Sequence, residues 1–178
     1  PSPTALRVAE LSQNAKTPFS LRPDAESLRA IAQELGLTSV RKLAFRGTIT
    51  ALGTTDWQLD AHLGATVVQP CVVTLEPVQT RIDAKITRLF IKDYVEPDEP
   101  ESEMPEDDRS EPLGQWIDPA AVMVEALAIE VPEYPRANGA ELGQAVYTKP
   151  GEIPMTDEDA RPFAGLAGLR QKLEDDED

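Results

Sequence analysis

The sequence of 178 residues contains one cysteine and one histidine. A disulfide needs two cysteines and a structural zinc site needs several Cys or His ligands, so neither is expected within the chain. The N-terminal residues also lack the basic and then apolar segments of a secretory signal. We therefore expect a cytoplasmic protein that carries no cofactor and no metal.

Long uncharged segments are missing as well. The longest stretch without Asp, Glu, Lys or Arg runs from Ala61 to Leu75 and includes the polar residues His62 and Gln69. This stretch is too short to cross a bilayer, so we expect no membrane partner. Nucleophile, phosphate-loop, dinucleotide and zinc-protease motifs are absent too, which predicts a protein that is not an enzyme and has no small-molecule substrate.

Negative charge is unevenly distributed along the chain. The 32 acidic and 17 basic residues give a formal net charge of −15, which opposes binding to phosphate. Residues 93–111 alone hold ten acids and one base, and residues 157–178 hold eight acids and three bases. The remaining body, with 14 acids and 13 bases, is almost neutral. An RNA partner is therefore compatible with the acidic composition.

Hydrophobic periodicity predicts both helices and strands. Helical spacing over 24–36, with Asp24 as N-cap and Gly36 as stop, predicts one helix, and Asp118-Pro119 begins a second that runs to residue 130. Alternation over 43–51 and 57–67 predicts a hairpin, and 78–86 continues it as a third strand. The apolar side of these strands comprises Phe45, Ile49, Trp57, Leu59, Leu63, Val67, Ile82 and Ile86.

The predicted fold class is α+β, with an antiparallel meander of three or more strands packed against two or three helices and a long acidic loop. The prolines and acids of 93–112 predict that this loop is flexible, and 174–178 form a disordered acidic tail. A weak C-terminal helix is predicted over 161–173. We expect a single domain over residues 1–173.

A basic surface is the main candidate for RNA or phosphate contact. Arg81 and Lys85 share one face of the third predicted strand, opposite Ile82 and Ile86. No aromatic RNA-binding motif accompanies them, so contact would be to backbone or shape, and a merely solvated face is the alternative. The full candidate set is Arg41, Lys42, Arg46, Arg81, Lys85, Arg88 and Lys92.

Three other features favour structural over chemical roles. His62 lies on the polar side of its strand and is expected to face solvent. Cys71 is expected to be a small buried hydrophobe whose pKa is raised by its apolar neighbours Val72 and Val73. Prolines interrupt every calcium-loop register in the acidic segment, which favours a solvated loop over a metal site.

The segment Cys71-Val-Val-Thr74-Leu75-Glu76-Pro77-Val78 resembles the C-x-R-C-L-x-P-V signature of the YceD family, the large-subunit ribosomal RNA accumulation proteins. Trp116-Ile117-Asp118, Pro132-x-Tyr-Pro135 and Pro162-Phe163 follow in the family's order. Thr74 replaces the second cysteine, so a zinc or redox role of that pair is not expected. Cys71, Leu75, Glu76 and Pro77 remain as a structural turn or a recognition patch.

The resemblance implies a non-catalytic ribosome-biogenesis factor that supports accumulation or maturation of large-subunit (23S) rRNA. Its expected partner is this rRNA or a pre-ribosomal particle, contacted directly or through a basic ribosomal protein. The alternative is an acidic protein-binding module or chaperone for such a basic protein. A metal-dependent nuclease is a third hypothesis. It ranks lowest because such an enzyme needs rigidly clustered carboxylates, whereas the acids lie in proline-rich segments.

Overall fold

The computed structural model describes residues 2–94 and 110–141. Its first half contains β1 (Leu6–Arg7), a short 3-10 helix (Val8–Glu10), β2 (Thr17–Leu21), α1 (Ala25–Glu34) and β3 (Ser39–Leu52). Its second half contains β4 (Asp56–Pro70), β5 (Pro77–Ile91), β6 (Ser110–Pro112), β7 (Trp116–Ile117) and α2 (Pro119–Glu130). The predicted α+β class is confirmed.

A five-stranded sheet dominates the fold, with strand order β2-β3-β4-β5-β6. Strands β2 to β5 pair antiparallel, whereas β6 runs parallel to β5, and β1 pairs separately with β7. Gly53, with a φ of 67°, adopts the left-handed backbone conformation in the turn between β3 and β4. The three predicted strands therefore form the long central meander.

Both predicted helices are present with the predicted N-caps. The Asp24 carboxylate accepts a hydrogen bond of 2.8 Å from the Ser27 N–H at the start of α1. Gly36, with a φ of 64°, follows the end of this helix. Asp118 caps α2 in the same way, through the N–H groups of Ala120 and Ala121. No helix among the residues described is long and apolar enough to cross a membrane.

The core lies between one face of the sheet and the two helices. Phe45, Ile49, Leu59 and Leu63 are fully buried there. Ile31 and Ala32 of α1, and Val122 and Leu127 of α2, belong to the same buried cluster. Burial of Trp57, Val67 and Ile82, with Ile86 partly buried against them, confirms the predicted apolar side.

Two sequence predictions concern segments near or beyond the described ranges. The loop predicted over 93–112 is too long, because Ser110–Pro112 forms β6 through backbone pairing with Leu89–Ile91. Residues 95–109, the predicted helix 161–173 and the predicted tail 174–178 lie outside the described residues. The chain divides into two units, Pro1–Asn138 and Gly139–Asp178. A single domain over 1–173 therefore stays a prediction.

Candidate nucleic-acid interface

The sheet face opposite the core is polar, because successive side chains along a strand point to opposite sides. In the described ranges both helices bury their apolar residues against the other face. We call this polar surface of β3, β4 and β5 the outer face. Its central residues are Arg41, Ala44, Arg46, Thr48, Thr50, Gln58, Asp60, His62, Gly64, Thr66, Gln79, Arg81, Asp83, Lys85 and Thr87, and the apolar Leu52, Val68 and Leu89 lie at its ends.

Strand register aligns basic residues across the outer face. Arg46, His62 and Lys85 are direct neighbours on β3, β4 and β5. Arg41 and Arg81 flank Thr66 in a second row. Because adjacent strands lie about 4.8 Å apart, the ends of each row are separated by roughly 10 Å at the backbone. The two rows form a basic surface that spans three strands.

The carboxylates of the outer face are already engaged by neighbouring side chains. Asp83 lies 2.7 Å from His62 Nε2 and 4.0 Å from Arg81 Nη2. Asp60 accepts hydrogen bonds from the Thr87 hydroxyl at 2.9 Å and the Gln58 amide at 2.8 Å. The prediction that His62 is a surface residue of its strand is confirmed, since its side chain is 38% exposed.

Three cations of this face are not neutralised within the described parts of the chain. Arg41, Arg46 and Lys85 are exposed and make no ion pair with any described residue. Exposed charges of this kind remain hydrated and accessible to a phosphate group. The basic character of the outer face therefore rests mainly on these three residues.

A β-bulge in β3 contains another exposed cation, Lys42, next to Arg41. The pairing register of β3 shifts between Arg41 and Ala44, and Lys42 within this shift has a φ of 52°. Non-glycine residues seldom adopt this conformation, and bulges commonly redirect a side chain. Arg41 and Lys42 are both exposed here, although they are adjacent in sequence.

Arg88, one of the predicted contacts, lies on the core face instead. It pairs opposite Leu59, and its side chain is only 12% exposed. Its Nη2 donates a 2.6 Å hydrogen bond to Glu125, and its Nε lies 3.1 Å from Glu111 without hydrogen-bond alignment. Arg88 lies three positions after Lys85, and an odd number of positions along a strand reverses the face. Arg88 and Lys85 therefore do not form one surface.

Lys92 also lies away from the outer face, immediately after the end of β5. Its backbone N–H donates to the Asp56 carboxylate at 3.0 Å. Together with Arg7 and Trp57 it lines an open cavity of about 750 Å³. The structure thus brings together Arg41, Arg46, Arg81 and Lys85 on the outer face, places Lys42 next to Arg41 in the bulge, and separates Arg88 and Lys92 from them.

Sequence reasoning missed Gly64 and Asp83 as parts of this surface. A Cβ atom on Gly64 would lie 2.9 Å from Arg81 Nη2, so the guanidinium rests over the glycine. Asp83 stands between Arg81 and Lys85 on the same strand face and holds His62. Counting alternate positions from Lys85 would have identified Asp83, whereas Gly64 is identified only by strand pairing.

The connection between β4 and β5, residues 70–77, is a tight turn that we call the Cys71 turn. Cys71 N–H donates to the Glu76 carbonyl at 2.7 Å, and Leu75 N–H donates to the Cys71 carbonyl at 3.0 Å. The buried Cys71 sulfur accepts hydrogen bonds from the N–H groups of Val73, Thr74 and Ala137 at 3.4, 3.4 and 3.3 Å. The sulfur therefore organises the turn.

Hydrogen bonding by the Thr74 side chain and by these N–H groups lowers the pKa of Cys71 from 9.0 to about 6. The Thr74 side chain contributes most to the lowering, followed by the Ala137 N–H, and both outweigh the opposing effect of burial. Burial of Cys71 is confirmed, but the predicted rise in its pKa is wrong. The Val72 side chain is 48% exposed, so it does not enclose the sulfur, whose hydrogen-bond donors are polar N–H groups.

The other family-motif residues are exposed on the Cys71 turn. Leu75 is 77% exposed and has a φ of 62°. Glu76 and Pro77 are exposed as well. The Val72 N–H also donates to the Pro135 carbonyl at 3.0 Å. The turn therefore holds the segment that follows α2, which favours a structural role for Cys71. The described residues include no group of three His, Cys, Asp or Glu able to hold a metal.

The sequence profile of the YceD family, described as large ribosomal RNA subunit accumulation protein, matches residues 59–170. Comparisons with curated proteins and with solved structures gave no match. The matched region begins within β4 and includes the Cys71 turn, β5 and α2. Since it covers more than half of the sequence, the chain belongs to the YceD family of large ribosomal RNA subunit accumulation proteins.

Proposed function

We propose that this chain acts as a non-catalytic assembly factor and contacts the backbone of large-subunit rRNA through its outer face. Membership of the YceD family gives the general role, the accumulation of large ribosomal RNA. The observation that carries the specific proposal is the alignment of Arg46, His62 and Lys85 across three strands, beside Arg41 and Arg81.

The composition of the outer face fits recognition of backbone rather than of bases. It presents guanidinium and ammonium groups together with the hydroxyls of Thr48, Thr50 and Thr66, which are the usual donors to phosphate and ribose. It carries no aromatic side chain within the described strands on which a base would stack. A sheet surface with such donors suits the wide, shallow minor groove of an RNA helix, which displays ribose hydroxyls.

The double variant Arg41→Glu with Arg46→Glu tests this proposal. Reversal of two cations is expected to weaken binding to large-subunit rRNA fragments by about tenfold or more. In cells that lack the wild-type gene, the variant should fail to restore the level of large-subunit rRNA. Both residues are exposed, so the melting temperature should change little.

A matched control is Arg22→Glu with Arg29→Glu, which changes the net charge equally but lies before and within α1. Both arginines are exposed and lie outside the outer face. If the two double variants bind RNA and restore rRNA equally well, the outer face is not the interface.

The acidic segment 93–111, with a net charge of −9, supports a second candidate, binding of a basic ribosomal protein. Deletion of residues 98–108 would then weaken a salt-sensitive complex with such a protein. RNA binding by the outer face would stay unchanged or improve, because the deletion removes only negative charge. A deletion that alters neither interaction would contradict this candidate.

A further inference from the structure

One edge of β5 lacks a strand partner over most of its length. On one side β4 pairs with β5 from Pro77 to Phe90. On the other side β6 pairs with only Leu89–Ile91. Within the described ranges the edge from Pro77 to Arg88 is therefore open, and an open edge is a template for another strand.

The direction of the Ile91 carbonyl shows which residues of β5 direct their backbone groups toward this open edge. Its carbonyl accepts a hydrogen bond of 2.8 Å from Leu113 N–H, on the side of β6. Backbone groups alternate between the two sides of a strand, and the register of β5 with β4 is continuous. The residues that direct N–H and C=O groups away from β4 are therefore Gln79, Arg81, Asp83, Lys85 and Thr87.

We propose that this edge pairs with the same edge of a second copy of the chain, β5 against β5, about a two-fold axis at Ile82. Such an interface must be self-complementary, because the same patch meets itself. With the axis at Ile82, Arg81 lies opposite Asp83 of the second copy, and Asp83 lies opposite its Arg81. The two opposite-charge pairs are directly cross-strand, the arrangement that stabilises antiparallel strands.

The core-side residues of this register are complementary as well. Ile82 meets Ile82, Val78 meets Ile86, and Thr80 meets Ala84 of the second copy. The open stretch is also centred near Ile82, so that Pro77 of one copy reaches Thr87 of the other. Pairing therefore ends just before Leu89, which already bonds to β6.

Neighbouring registers are less favourable. An axis at Asp83 places Asp83 opposite itself and Arg81 opposite Lys85, and like charges directly opposite are destabilising. An axis at Ala84 pairs Asp83 with Lys85, but it directs Gln79 of the second copy to Leu89, where β6 lies. The axis at Ile82 avoids both conflicts.

Edge-to-edge antiparallel pairing keeps equivalent faces on the same side of the joined sheet. The outer faces of two copies would thus adjoin and double the number of cations presented on one side. For RNA this would add avidity, because the second set of contacts becomes intramolecular. That consequence rests on the proposed function, whereas the dimer itself does not.

Sedimentation equilibrium of the full chain without RNA tests the dimer. The wild type should shift reversibly from monomer to dimer with concentration. Arg81→Asp and Asp83→Arg, each alone, should weaken the dimer by about tenfold, because each creates like-charge pairs at two symmetric positions. The double exchange, Arg81→Asp with Asp83→Arg, should restore it. A wild type that stays monomeric overturns the proposal, and so does a dimer that neither single variant weakens.

Engineered cysteines test the register independently. With the axis at Ile82, Gln79 lies opposite Lys85 of the second copy, within the separation that a disulfide spans. The double variant Gln79→Cys with Lys85→Cys should form a covalent dimer under oxidation. Lys85→Cys alone should not, which is the matched control. Equal crosslinking of both variants overturns this register.

These experiments distinguish failure of the dimer proposal from failure of the RNA-interface proposal. Arg41→Glu with Arg46→Glu alters β3 and should leave the monomer–dimer equilibrium unchanged. A dimer that persists in this variant while RNA binding is lost supports both proposals. A dimer that is lost together with RNA binding would contradict the assignment of the interface to the β5 edge.

Discussion

The sulfur of Cys71 acts as a hydrogen-bond acceptor for backbone groups from two distant parts of the chain. Val73 and Thr74 belong to its own turn, whereas Ala137 follows α2. Buried N–H groups that lose their acceptor are costly, since they cannot be solvated in compensation. A single side chain thus connects the β4–β5 turn with the segment beyond α2.

Cys71→Ala is expected to destabilise the protein in a pH-dependent manner. The folded pKa of about 6 lies below the unfolded value of 9.0, so the thiolate contribution is present above pH 9 and is lost as pH falls toward 6. The melting-temperature difference between wild type and variant should therefore grow from pH 6 to pH 9. Cys71→Ser, which retains an acceptor, should lose less stability. A difference independent of pH would contradict the assigned role of the thiolate.

Two glycines of the meander are expected to respond differently to alanine. A Cβ on Gly47 would overlap the backbone of Asp60 and lie 2.7 Å from the Ala61 Cα, whereas one on Gly64 would meet only the mobile end of Arg81. Gly47→Ala should cost at least about 2 kcal/mol in the free energy of unfolding. Gly64→Ala should cost less and should displace Arg81 on the outer face. Denaturant unfolding of both variants distinguishes them, and equal losses would contradict the expectation.

At the scale of elements, α2 is held at its N-terminus by Asp118. The carboxylate accepts hydrogen bonds from the Ser2 N–H at 2.6 Å and the Ser2 hydroxyl at 2.7 Å, as well as from the helix. Burial raises the pKa of Asp118, but the bonds from Ser2, Ala121 and Ala120 outweigh it, and the pKa lies below its usual 3.8. One carboxylate therefore caps α2 and ties the N-terminal segment to it.

Asp118→Ala is expected to cost about 1–2 kcal/mol at neutral pH, the usual value of an N-cap. Since the folded pKa is lowered, the contribution is present above pH 3.8 and is lost as pH falls below it. In thermal unfolding, the melting temperature of Asp118→Ala should lie well below that of wild type at pH 7 and only slightly below it at pH 3. Ser2→Ala, which removes only the hydroxyl, should cost less. Equal differences at the two pH values would contradict the assignment.

The two acids around Arg88 are expected to have opposite effects on stability. Burial, followed by the nearby Glu125, raises the pKa of Glu111 despite Arg88. A group whose pKa is raised on folding contributes to the stability of the fold at a pH below its unfolded pKa of 4.5, and this contribution is lost as pH rises. Glu111→Gln should therefore match or exceed wild-type stability at pH 7. Glu125→Gln, which removes the negative charge from the acceptor of the 2.6 Å bond donated by Arg88, should lower it. A melting temperature that is lower for Glu111→Gln than for Glu125→Gln would refute these opposite roles.

Sequence periodicity accounts for most of the elements but not for the partners of individual residues. Strict alternation placed the core face of β3 to β5, and Asp24 and Asp118 located both helix starts. The pKa of Cys71 depends on Ala137, a residue brought near only by folding. The parallel pairing of β6 also has no local signal, because three residues carry no periodicity. Arg88 was predictable from alternation, and grouping by charge alone obscured it.

For the whole molecule, net charge and local charge act on RNA at different distances. The total of −15 repels RNA at long range, whereas the contacts proposed for the outer face with phosphate would act only at short range. At an ionic strength of 0.01 M the screening length is about 30 Å, and at 0.1 M it is about 10 Å. Added salt therefore screens the repulsion first and weakens the contacts only later.

RNA affinity is accordingly expected to pass through a maximum as salt concentration rises. Fluorescence anisotropy with a labelled rRNA fragment, measured over a range of ionic strength, checks whether RNA affinity has such a maximum. Deletion of residues 98–108, which hold seven acids and no base, should move the maximum to lower salt. A wild-type affinity that falls steadily from the lowest salt would contradict the expectation.

The separation of core and outer face has an evolutionary consequence. Because Arg41, Arg46 and Lys85 are exposed and bury nothing against the helices, substitutions at these positions carry little folding penalty. Selection can therefore change what this surface binds while the opposite face preserves the fold. Related chains would be expected to share the apolar positions of β3 to β5 and to diverge at the positions between them.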